Sequence, residues 1–224
     1  MRFYLERINP SAITSQWIAE LSLGHELVKT NSSLLKKAEN IVSRAKEAHS
    51  GYAKSGKLND ELIKSAIHLA QLDPIFRAGV VDPNTGMADA GDVTDLKNLI
   101  ATVRPDVFKA DELCVLNPSF GEGSDLVGGA DTDLLIDNMM IDIKTTKNLR
   151  LERNHVNQLI GYYVLFTIGG IDNLDVKPKI DTLGIYYSRY GVLYTIPVKF
   201  FTSMPNFPSF VKWFKKTADE TFIA

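Results

Sequence analysis

The residues best suited to chemistry lie between Gly128 and Thr146, where Asp131, Asp133, Asp142 and Lys144 are interleaved with apolar residues. Asp137-Asn138 has the composition of a two-residue hairpin turn. Such a turn pairs Ile136 with Met139 and, counting outward, Asp133 with Asp142 and Asp131 with Lys144. Side chains alternate along a strand and opposed residues share a side. One face of the ribbon therefore carries Asp131, Asp133, Leu135, Met140, Asp142 and Lys144; the other carries Thr132, Leu134, Ile136, Met139, Ile141 and Ile143. The second face is almost wholly apolar and sets the register, because a slip of one residue divides the acids between the faces. Carboxylates opposed across a ladder repel each other, and a divalent cation removes that repulsion. Two carboxylates, completed by water and substrate phosphate, suit Mg²⁺, with Mn²⁺ as a substitute; the main-chain carbonyl of Ile143 is a further ligand. Taken alone, Asp131 and Asp133 would read as solvated strand residues, one of them paired with Lys144. The opposed acid and the clean apolar face favour the metal site.

These residues need a sheet and a helix behind them. Strands are predicted near Leu113–Leu116, Ala130–Ile136, Met139–Thr145, Thr182–Ser188 and Val192–Pro197, with a helix from Arg150 or Asn154 to Phe166 between the third and the fourth. The order β-β-β-α-β-β implies an α/β fold with a mixed, α+β type of sheet. Ahead of it the periodicity is helical: Met1–Ile8, Ser11–Lys29, Ser33–Lys54, Asn59–Arg77 with a kink at Asp73-Pro74, and Thr94–Val103. A turn is expected at Asp82–Gly86, and a short aromatic helix over Pro208–Phe214. The expected division is a helical N-terminal subdomain over 1–109 and a β-rich core over 110–224.

Asp133, three apolar residues, a short turn and then Ile141-Asp142-Ile143-Lys144-Thr145 resemble the PD-(D/E)XK nuclease superfamily. Gln158-Leu159-Ile160-Gly161-Tyr162 is similar to the Gln-x-x-x-Tyr motif of its RecB-like exonuclease branch. The resemblance spans about residues 110–197 and implies a restriction-endonuclease-like β-β-β-α-β core. It also implies metal binding by Asp133 and Asp142, and positioning or activation of the attacking water by Lys144. Gln158 and Tyr162 would orient the hairpin acids or contact substrate phosphate. No Pro precedes the first acid, and Asp131 is a second candidate for that place. The implied activity is Mg²⁺-dependent hydrolysis of phosphodiester bonds, with DNA as the expected partner. Neighbouring carboxylates raise a lysine pKa, which favours positioning and electrostatic roles for Lys144 over that of general base. A helical acid often completes the metal shell in this superfamily, and Glu20 and Glu26 are the candidates. The alternatives are a nuclease acting on RNA and a catalytically silent nucleic-acid-binding or assembly module of the same fold.

Composition narrows the remaining classes. Twenty-five Lys and Arg against 27 Asp and Glu give a net charge of −2, so nucleic-acid contact needs a local cationic patch. Lys147, Arg150 and Arg153 recur every third residue after Lys144 and form the best phosphate-binding stripe; Lys36, Lys37, Arg44 and Lys46 offer a second path. One cysteine, Cys114, excludes disulfide frameworks, zinc ribbons and iron–sulfur clusters, and its apolar strand makes it inert core. His25, His49, His68 and His155 lack metal-ligand spacing and read as surface or hydrogen-bonded residues. Gly121-Glu122-Gly123-Ser124 is an incomplete nucleophile elbow because Asp125 stands where glycine is required. Phe210, Trp213 and Phe214 read as core before they read as base-stacking residues. The chain has no long apolar window and no signal-peptide core over Met1–Arg7, so a cytoplasmic protein without membrane contact is expected. Its oligomeric state stays open.

Overall fold

Short runs rich in Val, Ile, Leu and Tyr make six strands: β1 (Ile13–Thr14), β2 (Cys114–Leu116), β3 (Leu134–Ile136), β4 (Met139–Lys144), β5 (Thr182–Tyr187) and β6 (Val192–Pro197). The computed structural model describes residues 1–222. The strands form one mixed open sheet in the order β1-β2-β3-β4-β5-β6. β1 runs parallel to β2 and β4 parallel to β5; the other neighbours are antiparallel. Parallel neighbours need a crossover, and the one between β4 and β5 contains a 17-residue helix over Arg153–Gly169.

The helices are α1 (Arg2–Ile8), α2 (Ile18–Ser22), α3 (Glu26–Lys29), α4 (Ser32–Ser55), α5 (Asp60–Ala70), α6 (Asp73–Ala78), α7 (Ala90–Ala101), α8 (Pro105–Phe108), α9 (Glu122–Asp125), α10 (Arg153–Gly169), α11 (Lys199–Thr202) and α12 (Phe207–Phe222). Two compact units result: residues 1–10 with 16–101, and residues 11–15 with 102–224. The first is helical, with a core of Ala19, Val28, Ala38, Ile41, Val42, Leu72 and Ile75. Asn31 and Asn59 cap α4 and α5 by accepting the Leu34 and Leu62 N–H groups at 3.0 and 2.9 Å.

The hairpin register is Leu134 with Ile141, Leu135 with Met140, and Ile136 with Met139. Asp137 opens the turn at φ 49°, and its carboxylate accepts the N–H groups of Asp111, Glu112 and Leu113 at 3.1, 2.8 and 3.0 Å. Partial burial opposes its ionisation, yet these three donors outweigh that cost and hold the carboxyl below its usual pKa. The turn is thereby fastened to the entry of β2. Both faces of the hairpin are covered: Leu134 and Ile141 on one side and Leu135 and Met140 on the other have no exposure. Full burial of each such side chain contributes about 1.5–3 kcal/mol. Leu135 and Met140 share their core with Val115, Phe120, Leu159, Leu165, Leu183, Ile185 and Tyr187, so the acid-bearing face lies toward α10.

Several expected elements differ. Ser11–Lys29 is not one helix: Ile13 and Thr14 join the sheet beside β2, and Trp17 and His25 begin the separate short helices α2 and α3. Asn59–Arg77 is two helices rather than one kinked helix, since Pro74 begins α6. The Ala130–Ile136 strand shortens to Leu134–Ile136, with Asp131 in an isolated bridge to Ser119. The C-terminal helix runs on past Phe214 to Phe222. Contacts between α9 and α10 depend on glycine, because a side chain at Gly123 or Gly169 would collide with the carbonyls of Leu165 and Phe120.

Candidate active site

Where β3 ends, Asp133 takes over a ladder bond. A regular continuation would give the Ile143 N–H to the carbonyl of Thr132; Asp133 Oδ2 accepts it instead at 2.6 Å. Thr132 turns its hydroxyl to the Ile141 carbonyl at 3.1 Å. The N–H and carbonyl of one strand residue face the same neighbour, so the Ile143 carbonyl points toward the Asp133 end of β3. Asp142 lies on β4, one position before Ile143.

Asp142 is 4% exposed. Lys144 Nζ approaches its Oδ2 to 2.7 Å as an ion pair, but the direction is not that of a hydrogen bond, and the buried Oδ2 has no hydrogen-bond donor. Lys144 Nζ also donates to Gln158 Oε1 at 2.6 Å, and Gln158 Nε2 donates to Tyr162 OH at 2.9 Å. One polar chain thus links Asp142, Lys144, Gln158 and Tyr162 across β4 and α10. Gln158 is exposed, which opens the chain to solvent.

The charges are mutually felt. Burial first, and then the Asp142 and Asp131 charges, lift the Asp133 carboxyl above its ordinary pKa; the Ile143 N–H and Lys144 act in the opposite sense. Burial, followed by Asp142, Asp131 and Asp133, pushes the Tyr162 hydroxyl up to about 12, so it remains a proton donor at neutral pH. Asp131, half-buried, is therefore close enough to act on both groups although it lies outside the ladder. Among the described residues, no three His, Cys, Asp or Glu side chains are grouped to hold a metal ion. A cation here would rest on Asp133, Asp142 and the Ile143 carbonyl, with solvent and phosphate completing its shell. Buried Asp142, whose Oδ2 has an ion-pair partner but no hydrogen bond, and the raised Asp133 carboxyl are the two features that a cation fits.

Lys147, Arg150 and Arg153 are exposed. The loop carrying the first two is held by residues that the sequence did not single out. Tyr187, the register partner of Lys144, donates its hydroxyl to the Arg150 carbonyl at 3.0 Å, and the Tyr190 hydroxyl donates to the Lys147 carbonyl. His155 Nδ1 lies 3.3 Å from the same Tyr187 hydroxyl. Only the neighbouring strand, brought in by the crossover, reveals these contacts.

The other candidates have local roles. Glu20 and Glu26 belong to the first unit. Glu20 accepts the Trp17 N–H at 3.2 Å and pairs with Lys46, and Glu26 is exposed in the first turn of α3. Arg44 pairs with Glu61 at 2.5 Å. Ser124 accepts the Phe120 N–H at 2.7 Å and donates to the Ala130 carbonyl at 2.6 Å, a structural use of its hydroxyl. Cys114 is buried, and burial followed by the Asp137 charge raises its thiol to about 11. Phe214 packs against the core, as expected, whereas Phe210 and Trp213 are 37% and 58% exposed and are not core. No helix among the described residues is long and apolar enough to cross a membrane. No protein-family model, curated protein or solved structure matches the chain.

Proposed function

We propose that the protein is a metal-dependent phosphodiesterase acting on DNA, with a restriction-endonuclease-like β-β-β-α-β core. The observation that carries this reading is the polar chain from buried Asp142 through Lys144 to Gln158 and Tyr162, beside an Asp133 whose carboxyl is raised by burial and neighbouring charge. Asp133, Asp142 and the Ile143 carbonyl would hold Mg²⁺ or Mn²⁺. When bound, the ion supplies Lewis acidity at the scissile phosphate and lowers the pKa of a coordinated water. Lys144 has ammonium protons left after its contacts with Asp142 and Gln158, and it directs them at the attacking water or a phosphate oxygen. Gln158 fixes that ammonium, and Tyr162 fixes Gln158 while remaining protonated. Attack by water forms one P–O bond as the bond to the leaving oxygen breaks, and solvent protonates the leaving group. Lys147, Arg150 and Arg153 hold flanking phosphates without reading bases.

One observation favours a second reading. Lys144 already neutralises Asp142, as in a silent binding module that needs no metal. Digestion of linear, circular and single-stranded DNA, and of RNA, in Mg²⁺ and in EDTA separates the two. The nuclease reading expects Mg²⁺-dependent cleavage of DNA that falls about 10²-fold or more in Asp142→Asn. Binding without cleavage in any metal overturns it, and cleavage confined to RNA overturns the substrate.

A further inference from the structure

We propose that the outward face of α12 is a stacking platform for single-stranded nucleic acid. The inference rests on the reading above for the class of partner and adds the form of the strand. Phe207, Val211, Phe214 and Ala218 recur at helical spacing and are buried or half-buried, so the broad apolar side of α12 is already spent on its own unit. What faces solvent is a different pattern: Trp213, 58% exposed, follows the exposed Lys212 directly and has the exposed Lys216 one turn on, Lys216 lying 3.7 Å from Glu220, with Phe210 one turn back. The Phe210 and Trp213 rings are 5.7 Å apart and inclined by only 31°. Aromatic rings interleaved with cations are how proteins hold unpaired strands: each base offers a π face, and each lysine neutralises a phosphate. A duplex keeps those faces within its own stack, which makes the platform selective for single strands. A membrane-surface helix, by contrast, needs its broad apolar side free for lipid, and here that side is turned inward.

The platform is also continuous with the helix that carries the candidate site. Phe210 contacts Phe207 at 6.5 Å, and Phe207 contacts Tyr163 at 6.4 Å, next to Tyr162 on α10. A strand seated on Trp213 is therefore tied, ring by ring, to the helix that presents Gln158 and Tyr162.

The test uses the full chain in EDTA with Trp17→Phe as background, so that fluorescence reports Trp213 alone. Titration with oligo-dT should quench Trp213, and a duplex of equal length should quench it less. Stacking contributes about 1–3 kcal/mol per base, so Trp213→Ala should weaken binding of a labelled strand about 5- to 150-fold, with partial recovery in Trp213→Phe. Lys212→Ala and Lys216→Ala should each reduce the magnitude of the log–log salt slope by about 0.7. Unchanged affinity in Trp213→Ala overturns the platform, as does a response to anionic phospholipid vesicles without one to oligo-dT. Hydrolysis in Mg²⁺, measured on the same variants and on Asp142→Asn, keeps the two claims separate: loss of cleavage only in Asp142→Asn, with Trp213→Ala binding normally, ends the platform and leaves the hydrolytic site standing.

Discussion

Asp133 meets opposing demands: it accepts the Ile143 N–H in a half-buried position while desolvation, then Asp142 and Asp131, raise its pKa. A carboxyl with a raised folded-state pKa contributes stability fully below its unfolded pKa and loses that contribution as pH rises through the folded value. Asn at this position cannot ionise, yet its amide oxygen still accepts the Ile143 N–H. Asp133→Asn should therefore gain in Tm relative to the parent as pH moves from below the carboxylate range to neutrality in EDTA. Thermal melts across that range check it, and a Tm difference that is flat with pH contradicts it. At this scale the acids, Lys144, Gln158 and Tyr162 were legible because strict alternation and an i, i+4 spacing define which side chains share a face. The capture of the Ile143 N–H by Asp133 was not, since it depends on β3 breaking its ladder one residue early. Tyr187 was equally hidden, because its contact with the Arg150 carbonyl exists only once β5 lies beside β4.

Under the proposed function, the loop between β4 and α10 is the element that would set affinity for DNA. Tyr187 and Tyr190 pin it through the carbonyls of Arg150 and Lys147. A neutral hydrogen bond contributes about 0.5–1.5 kcal/mol, so Tyr187→Phe and Tyr190→Phe should each raise KM for DNA about 2- to 10-fold and leave kcat nearly unchanged. Arg150→Ala should reduce the duplex salt slope by about 0.9 independently of base sequence. Steady-state kinetics and Mg²⁺-free binding measure both, and a fall in kcat with constant KM would place the tyrosines elsewhere in the mechanism. The strands β2, β4, β5 and β6 and helix α10 were readable from period and turn chemistry. The two-residue β1 was not: Ile13-Thr14 is too short to show a period, and its partner Val115-Leu116 is remote in the chain. The expected end of α12 at Phe214 falls where its aromatic cluster stops, whereas the Lys, Ala and Glu residues that follow carry the helix to Phe222.

Across the whole molecule, the two units divide after Ala101, and residues 11–15 join the second because β1 needs β2 as a partner. Periodicity changes near 109/110 and places the expected boundary there, but α8 groups with the sheet: Phe108 is fully buried and packs edge-on against Tyr186 at 4.7 Å. With a net charge of −2, phosphate binding needs local placement of charge, and the proposed hydrolysis depends on the hairpin acids holding a divalent ion. Calorimetric titration of Mg²⁺ into the parent and into Asp142→Asn, matched in concentration and folded by circular dichroism, tests that most directly. The expected result is saturable binding at one or two ions per chain in the parent and its loss in Asp142→Asn. Identical heats for the two proteins, or no saturable heat in the parent, would contradict it.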